Sequence, residues 1–122
     1  MKQILFVCSF GKDRSRTGAD LYKLTGYKTD FGGVHPLAYR QLTAAQLAWA
    51  DLIVTFTRNH REKVEALAAW HNIGVEGKSV CLQIQNRYKH GDVDLDRRII
   101  QEMRKVAPDL VHPVLPGEWG TP

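Results

Sequence analysis

Apolar residues fall into two spacings along this chain, and the spacing switches several times before residue 110. Ile4, Leu5, Phe6, Val7 and Cys8 make a nearly continuous run, the pattern of a strand buried on both faces. A polar, glycine-containing stretch at 9–13 follows, then a segment over 14–24 that can form a helix until Gly26 ends it. Residues 27–34 predict a second strand, broken by Gly32 and Gly33 and closed by Pro36. Thr43 with Gln46 three positions later is a capping box that opens a short helix over 44–50. The β-branched run at 51–57 predicts a third strand. Asn59 then caps a helix reaching Ala69, with Val64, Leu67, Ala68 and His71 on one face. Residues 79–84 read as a fourth strand and 85–91 as a polar loop. The last helix, over 93–106, carries Leu95, Ile99, Met103 and Val106 at helical spacing, and Pro108 ends it.

Strands alternating with helices imply an α/β fold, a parallel sheet covered by helices on both faces, because right-handed crossovers require that arrangement. In such sheets ligands bind beyond the carboxyl ends of the strands, which directs attention to the loop after Cys8. With 122 residues the chain is one domain's worth of material, read as a single domain over 1–122 with a tail from about residue 111 that bears Pro113, Pro116 and Gly117. Hydrophobic residues at 43% and charged residues at 25% exclude disordered, collagen-like and coiled-coil classes. No apolar run approaches the roughly 20 residues of a membrane span, and no signal-peptide pattern precedes the fold. Two cysteines do not make a secreted disulfide framework, so a reducing, cytoplasmic setting is expected. The net charge of +4 suits an anionic partner; no nucleic-acid-reading motif accompanies it, and a monomer without membrane attachment is expected.

Candidate chemistry concentrates at residues 8–15: Cys8, Ser9, Phe10, Gly11, Lys12, Asp13, Arg14 and Ser15. A cysteine at a strand end and an arginine six residues later, at a helix start, enclose a five-residue loop. Such a loop can turn its N–H groups inward as a nest for a phosphate-sized anion, and the helix adds the positive end of its dipole. Arg14 can present a two-pronged fork to phosphate oxygens. The same donors favour the thiolate of Cys8, which makes the sulfur a nucleophile, and Ser15 can donate a hydrogen bond to it. A free cysteine at a strand end is also a common small buried hydrophobe; the motif together with its strand–loop–helix context favours the nucleophile.

In Cys8, Arg14 and Ser15, and in their position after the first strand, the sequence resembles the low-molecular-weight protein tyrosine phosphatases. The resemblance extends through residues 30–36 and 50–60 and covers roughly the first 110 positions in order. It is most similar to the divergent bacterial and phage predicted tyrosine phosphatases. The resemblance implies a three-layer fold with a four-stranded parallel sheet in the order 2-1-3-4. It also implies metal-independent, cofactor-free hydrolysis of a phosphomonoester, phosphotyrosine in a protein or a small aryl phosphate, through a cysteinyl-phosphate. The phosphate-binding loop is then Ser9, Phe10, Gly11, Lys12, Asp13 and Arg14.

Two departures stand out. Gly11 occupies the position where the family carries Asn, keeping the left-handed conformation while losing a side-chain tether. Asn86, Arg87 and Tyr88 fall where the family has its Asp-Pro-aromatic general acid, and Asn cannot exchange the proton. Asp92 is the candidate acid, Asp94 the weaker one, and the absence of any Asp acid is the third possibility; as a structural residue, Asp92 would cap the last helix. Tyr88 and Arg58 are candidates for the substrate mouth. His35, His60, His71, His90 and His112 lack metal-ligand spacing and read as structural or exposed, with no metal site. Cys81 reads as a core residue, and Trp49, Trp70 and Trp119 as packing residues. The competing functions are a phosphate-binding module without efficient turnover and an arsenate reductase, for which Cys81 is a poor substitute for the further redox cysteines needed.

Overall fold

The computed structural model describes residues 2–115. Four strands, β1 (Gln3–Cys8), β2 (Lys28–Gly33), β3 (Leu52–Thr55) and β4 (Ser79–Cys81), form one parallel sheet in the order β2-β1-β3-β4, the predicted topology. Helices α1 (Arg14–Lys23), α2 (Ala44–Trp49), α3 (Arg58–Trp70) and α4 (Val93–Val106) make the connections. β1 and β3 are central, which is why they are apolar at consecutive positions, Ile4 to Cys8 and Leu52 to Val54, rather than at alternate ones. Alternation still sorts the side chains. Ile4, Phe6 and Cys8 join Ala19 and Tyr22 of α1 and Leu95, Ile99 and Met103 of α4 on one face. Leu5 and Val7 join Leu47 and, from α3, Val64 and Ala68 on the other. Each fully buried Phe or Leu in these layers stabilises the fold by about 1.5–3 kcal/mol.

Several local expectations need correction. Gly32 and Gly33 do not break β2; they pair with Val7 and Cys8 as its last two residues. Bare backbone is needed there, because a Cβ on Gly33 would lie 2.5 Å from Gly11 N. The cap of α3 is Thr57, not Asn59: its hydroxyl accepts from His60 N, so the helix starts two residues sooner. β4 stops at Cys81, although Leu82 N and Ile84 N still donate to Thr55 O and Phe56 O across a left-handed Gln83 (φ +59°). His71 and Trp70 point to solvent rather than into the packed face of α3, and Cys81 is only half-buried. Trp119, Pro116 and Gly117 lie outside the described residues. The capping box of α2 forms with both reciprocal bonds, and α4 spans the predicted residues. No helix among the described residues is long and apolar enough to cross a membrane.

Candidate active site

The carboxyl end of β1 delivers Cys8 to the floor of a cleft of about 430 Å³ lined by Cys8, Phe10, Lys12, Asp13, Arg14, Leu37, Tyr39 and Asn86. The loop between Cys8 and α1 is fixed by its carbonyls. Val34 N donates to Cys8 O at 3.0 Å, His35 N to Ser9 O at 2.8 Å and Tyr39 N to Phe10 O at 2.8 Å. The N–H groups of residues 9–14 donate to no described residue. Carbonyls consumed on one side and amides left over on the other are the makings of an anion nest, reinforced by the first turn of α1. Gly11 sits in the left-handed region (φ +61°), and a Cβ there would lie 2.6 Å from Arg40 O, so glycine is required on both counts.

Arg14 is 2% exposed, an unusual state for a guanidinium, and two bonds hold it. Nη1 donates to Ile84 O at 2.8 Å and Nη2 to Ser9 Oγ at 3.3 Å. Burial draws its pKa below the ordinary arginine value, opposed by the nearby Cys8 and Asp13. Three N–H groups remain for an anion, enough for a bidentate contact. Cys8 Sγ lies 3.1 Å from Ser15 Oγ, and Ser15 is fully buried. A hydroxyl in that place donates to the sulfur whenever the sulfur is a thiolate.

The remaining predicted residues are distributed less evenly. Phe10, 42% exposed, lines the cleft and stacks against His35 with centroids 4.6 Å apart. Lys12 lines the rim. Asp13 lines it too, but its Oδ1 accepts from His90 N at 3.0 Å. Asp92 caps α4, its carboxylate accepting from Asp94 N at 2.8 Å, and Asp94 is paired with Arg97. Neither is among the residues lining the cleft, whereas Asn86 is. Tyr88 packs beside the α1–α4 core with the Arg87 guanidinium 5.5 Å from its ring. Arg58 opens α3 and lines a separate hollow with Arg61, Cys81 and Gln83.

Three contributors escaped the sequence reading. Leu37 and Tyr39, both exposed, wall the cleft from the segment after β2. His60 is 1% exposed and reaches Ser9 Oγ through Nε2 at 2.9 Å. Burial, with the charges of Arg14 and Lys63, lowers its pKa to about 4, so the ring is neutral at pH 7. The buried side of α3 was the available signal for His60, since its position continues the Val64–Ala68 stripe.

No protein-family model matches the sequence, and none of the curated proteins matches it. Solved structures do match. The tyrosine phosphatase AmsI of Erwinia amylovora superposes with a TM-score of 0.65 at 20% identity, over 88% of this chain and 95% of that one. Wzb, a tyrosine phosphatase of Escherichia coli K30 solved with phosphate, gives 0.67 at 19% identity, over 86% and 96%. SP-PTP, a low-molecular-weight protein tyrosine phosphatase of Streptococcus pyogenes, gives 0.65 at 10% identity, over 86% and 93%. The superpositions cover nearly all of both chains in each case: with its parallel sheet in the order β2-β1-β3-β4, this chain has the fold of the low-molecular-weight protein tyrosine phosphatases.

Proposed function

We propose that this protein hydrolyses an aryl phosphomonoester, phosphotyrosine in a protein, through a cysteinyl-phosphate intermediate. The observation that carries the reading is the convergence of Cys8 and Arg14 on one cleft, with Ser15 bonded to the sulfur and a run of unpaired amides between them. The thiolate of Cys8 attacks phosphorus; the S–P bond forms as the P–O bond to the leaving phenol breaks. Arg14 and the loop amides hold the charge on the equatorial oxygens. Water then attacks phosphorus, the S–P bond breaks, and phosphate leaves with the thiolate restored, Ser15 donating to the departing sulfur. Phe10, Leu37 and Tyr39 offer an apolar wall that suits an aryl group.

Protonation of the leaving oxygen is assigned to Asp92. This requires residues 86–92 to fold inward, because in the conformation described its carboxylate caps α4. That same placement favours a second reading, a module that grips phosphate with little turnover, since the loop residue at the mouth is Asn86. The arsenate reductase reading has less support: Cys8 and Cys81 lie on strands separated by β3, about 10 Å apart at two strand spacings, beyond disulfide reach.

The deciding experiment is hydrolysis of p-nitrophenyl phosphate and phosphotyrosyl peptide by wild type and Cys8→Ser, with inorganic phosphate binding followed in parallel. Turnover that vanishes in Cys8→Ser supports the phosphatase. Phosphate binding without turnover in the wild type supports the module, and the absence of both defeats the two readings together.

A further inference from the structure

A line of polar side chains, buried His60, half-buried Ser9 and buried Arg14, runs from the interior to the cleft, and the hydrolytic scheme uses only its last member. His60 Nε2 lies 2.9 Å from Ser9 Oγ, and Ser9 Oγ accepts from Arg14 Nη2 at 3.3 Å. At the far end, His60 Nδ1 is buried and bonded by no described residue. The ring is neutral at pH 7, so it carries one proton and must choose a nitrogen.

The two tautomers are not equivalent here. With the proton on Nδ1, the interior holds an N–H that lacks an acceptor, and Ser9 must donate its single hydroxyl proton to Nε2. With the proton on Nε2, the ring donates to Ser9 Oγ, and what is left inside is only a lone pair. A buried N–H without an acceptor is the rarer and costlier defect, so the second tautomer is favoured. Ser9 Oγ then accepts twice, from His60 and from Arg14, and both of its lone pairs are fixed in direction. Since Arg14 Nη1 is independently held by Ile84 O at 2.8 Å, the two terminal nitrogens are anchored at two points and the plane of the guanidinium is set.

We propose that His60 is a positioning residue, which by donating from Nε2 to Ser9 Oγ fixes the hydroxyl that orients Arg14 toward the phosphoryl oxygens. The inference rests on the phosphate-binding part of the function proposed above.

Its test uses the intact chain and inorganic phosphate as the probe. Long-range ¹⁵N–¹H correlation spectra of histidine-labelled wild type are expected to show the Nε2–H tautomer for His60 at neutral pH; the Nδ1–H tautomer overturns the proposal. By calorimetry, His60→Leu is expected to weaken phosphate binding about tenfold, the value of one hydrogen bond. In the Ser9→Ala background the same substitution is expected to cost less than about twofold, because the route to Arg14 is already cut. His60→Gln, whose amide nitrogen reaches near the Nε2 position, is expected to retain most of the affinity. An equal loss in both backgrounds, or His60→Gln binding as weakly as His60→Leu, means a general packing role and overturns the proposal. Should His60→Leu not fold, the wild-type tautomer and the Ser9→Ala and His60→Gln affinities still decide it. None of these readouts needs turnover, so a protein that binds phosphate but hydrolyses nothing would sink the phosphatase reading and leave this one intact.

Discussion

Gly33 is the position where one added methyl group should separate loop geometry from fold stability. A Cβ there would lie 2.5 Å from Gly11 N and from Phe10 C, and 2.6 Å from Ser9 O. All three are backbone atoms, so no rotamer change relieves the overlap. Recovering ordinary contact at 3.4 Å requires about 0.9 Å of relative movement (3.4 − 2.5) between the loop and the end of β2. The strand side is pinned: Gly33 N donates to Arg40 O at 2.7 Å, Leu42 N donates to Gly33 O at 2.9 Å, and the residue pairs with Cys8. The loop must therefore yield. Overpacking of this kind costs about 1–3 kcal/mol, which a domain of this size survives at 25 °C. A misplacement near 1 Å costs on the order of 100-fold in rate. Gly33→Ala is thus expected to stay folded, melt lower, and lose on the order of 100-fold in kcat/KM on p-nitrophenyl phosphate. Gly74→Ala is the control, with nothing within 4 Å of its Cβ and no left-handed φ, and should match wild type in both measurements. A Gly33→Ala protein that melts lower yet keeps kcat/KM within about threefold of wild type would refute the claim that this contact sets the loop.

Three further outcomes follow from the same geometry. Arg14→Lys keeps the charge but loses the fork and the paired anchors on Ile84 and Ser9, so kcat/KM should fall by about 100-fold or more, with phosphate affinity falling alongside; near-wild-type kinetics would contradict the assigned clamp. Asp92→Ala should cost about 1 kcal/mol in thermal melts, whereas Asp92→Asn, an equally good cap, should not. In kinetics Asp92→Asn should slow phenyl phosphate more than p-nitrophenyl phosphate, and a variant as fast as wild type on both esters would remove Asp92 from proton transfer. His60 has a folded pKa of about 4, below its unfolded value near 6.5, so the unfolded chain binds the extra proton between those values. Its contribution to stability is complete above pH 6.5 and is lost as pH falls toward 4, up to about 3 kcal/mol, and denaturant titrations of His60→Gln should lack that slope.

Local chemistry explains which parts of this molecule can be read from its sequence. The two-faced burial of β1 and β3, the capping box at Thr43 and Gln46, and the span of α4 are written in neighbouring residues, and each formed as the spacing implies. What was not legible depends on partners far apart in the chain. Gly33 resembles a strand breaker until the loop after Cys8 is seated on it, 22 or more positions away, and Gly32 until Leu42 and Gln46 close over it. His60 resembles any other histidine until β1 and α3 bring it to Ser9. Leu37 and Tyr39 lie in a stretch without periodicity, and only the bonds from Val34, His35 and Tyr39 to the loop carbonyls carry that stretch to the cleft. Asn59 and Thr57 are both good caps, so the choice between helix starts two residues apart turns on propensities that differ little.

Asp13 shows how a residue that looks wrong by charge can be right by position. A carboxylate in a phosphate-binding loop repels the ligand in proportion to how directly it faces it. Here one oxygen is turned to His90 N, and the His90 ring is held in turn by Thr17 at 2.9 Å and by Asp20 at 3.4 Å. Residues 86–92 are thereby tied to α1 through a backbone amide and a ring, and Asn86 is held over the cleft at the other end of the same segment. The charge that would oppose phosphate is instead partly consumed in fixing the mouth, and Asp13 is the sole acid among the residues lining the cleft. It follows that residues 86–92 cannot swing as a free flap. On the proposed mechanism, an inward movement that breaks the contacts of His90 with Asp13 and Thr17 would add their cost to the barrier for proton donation by Asp92.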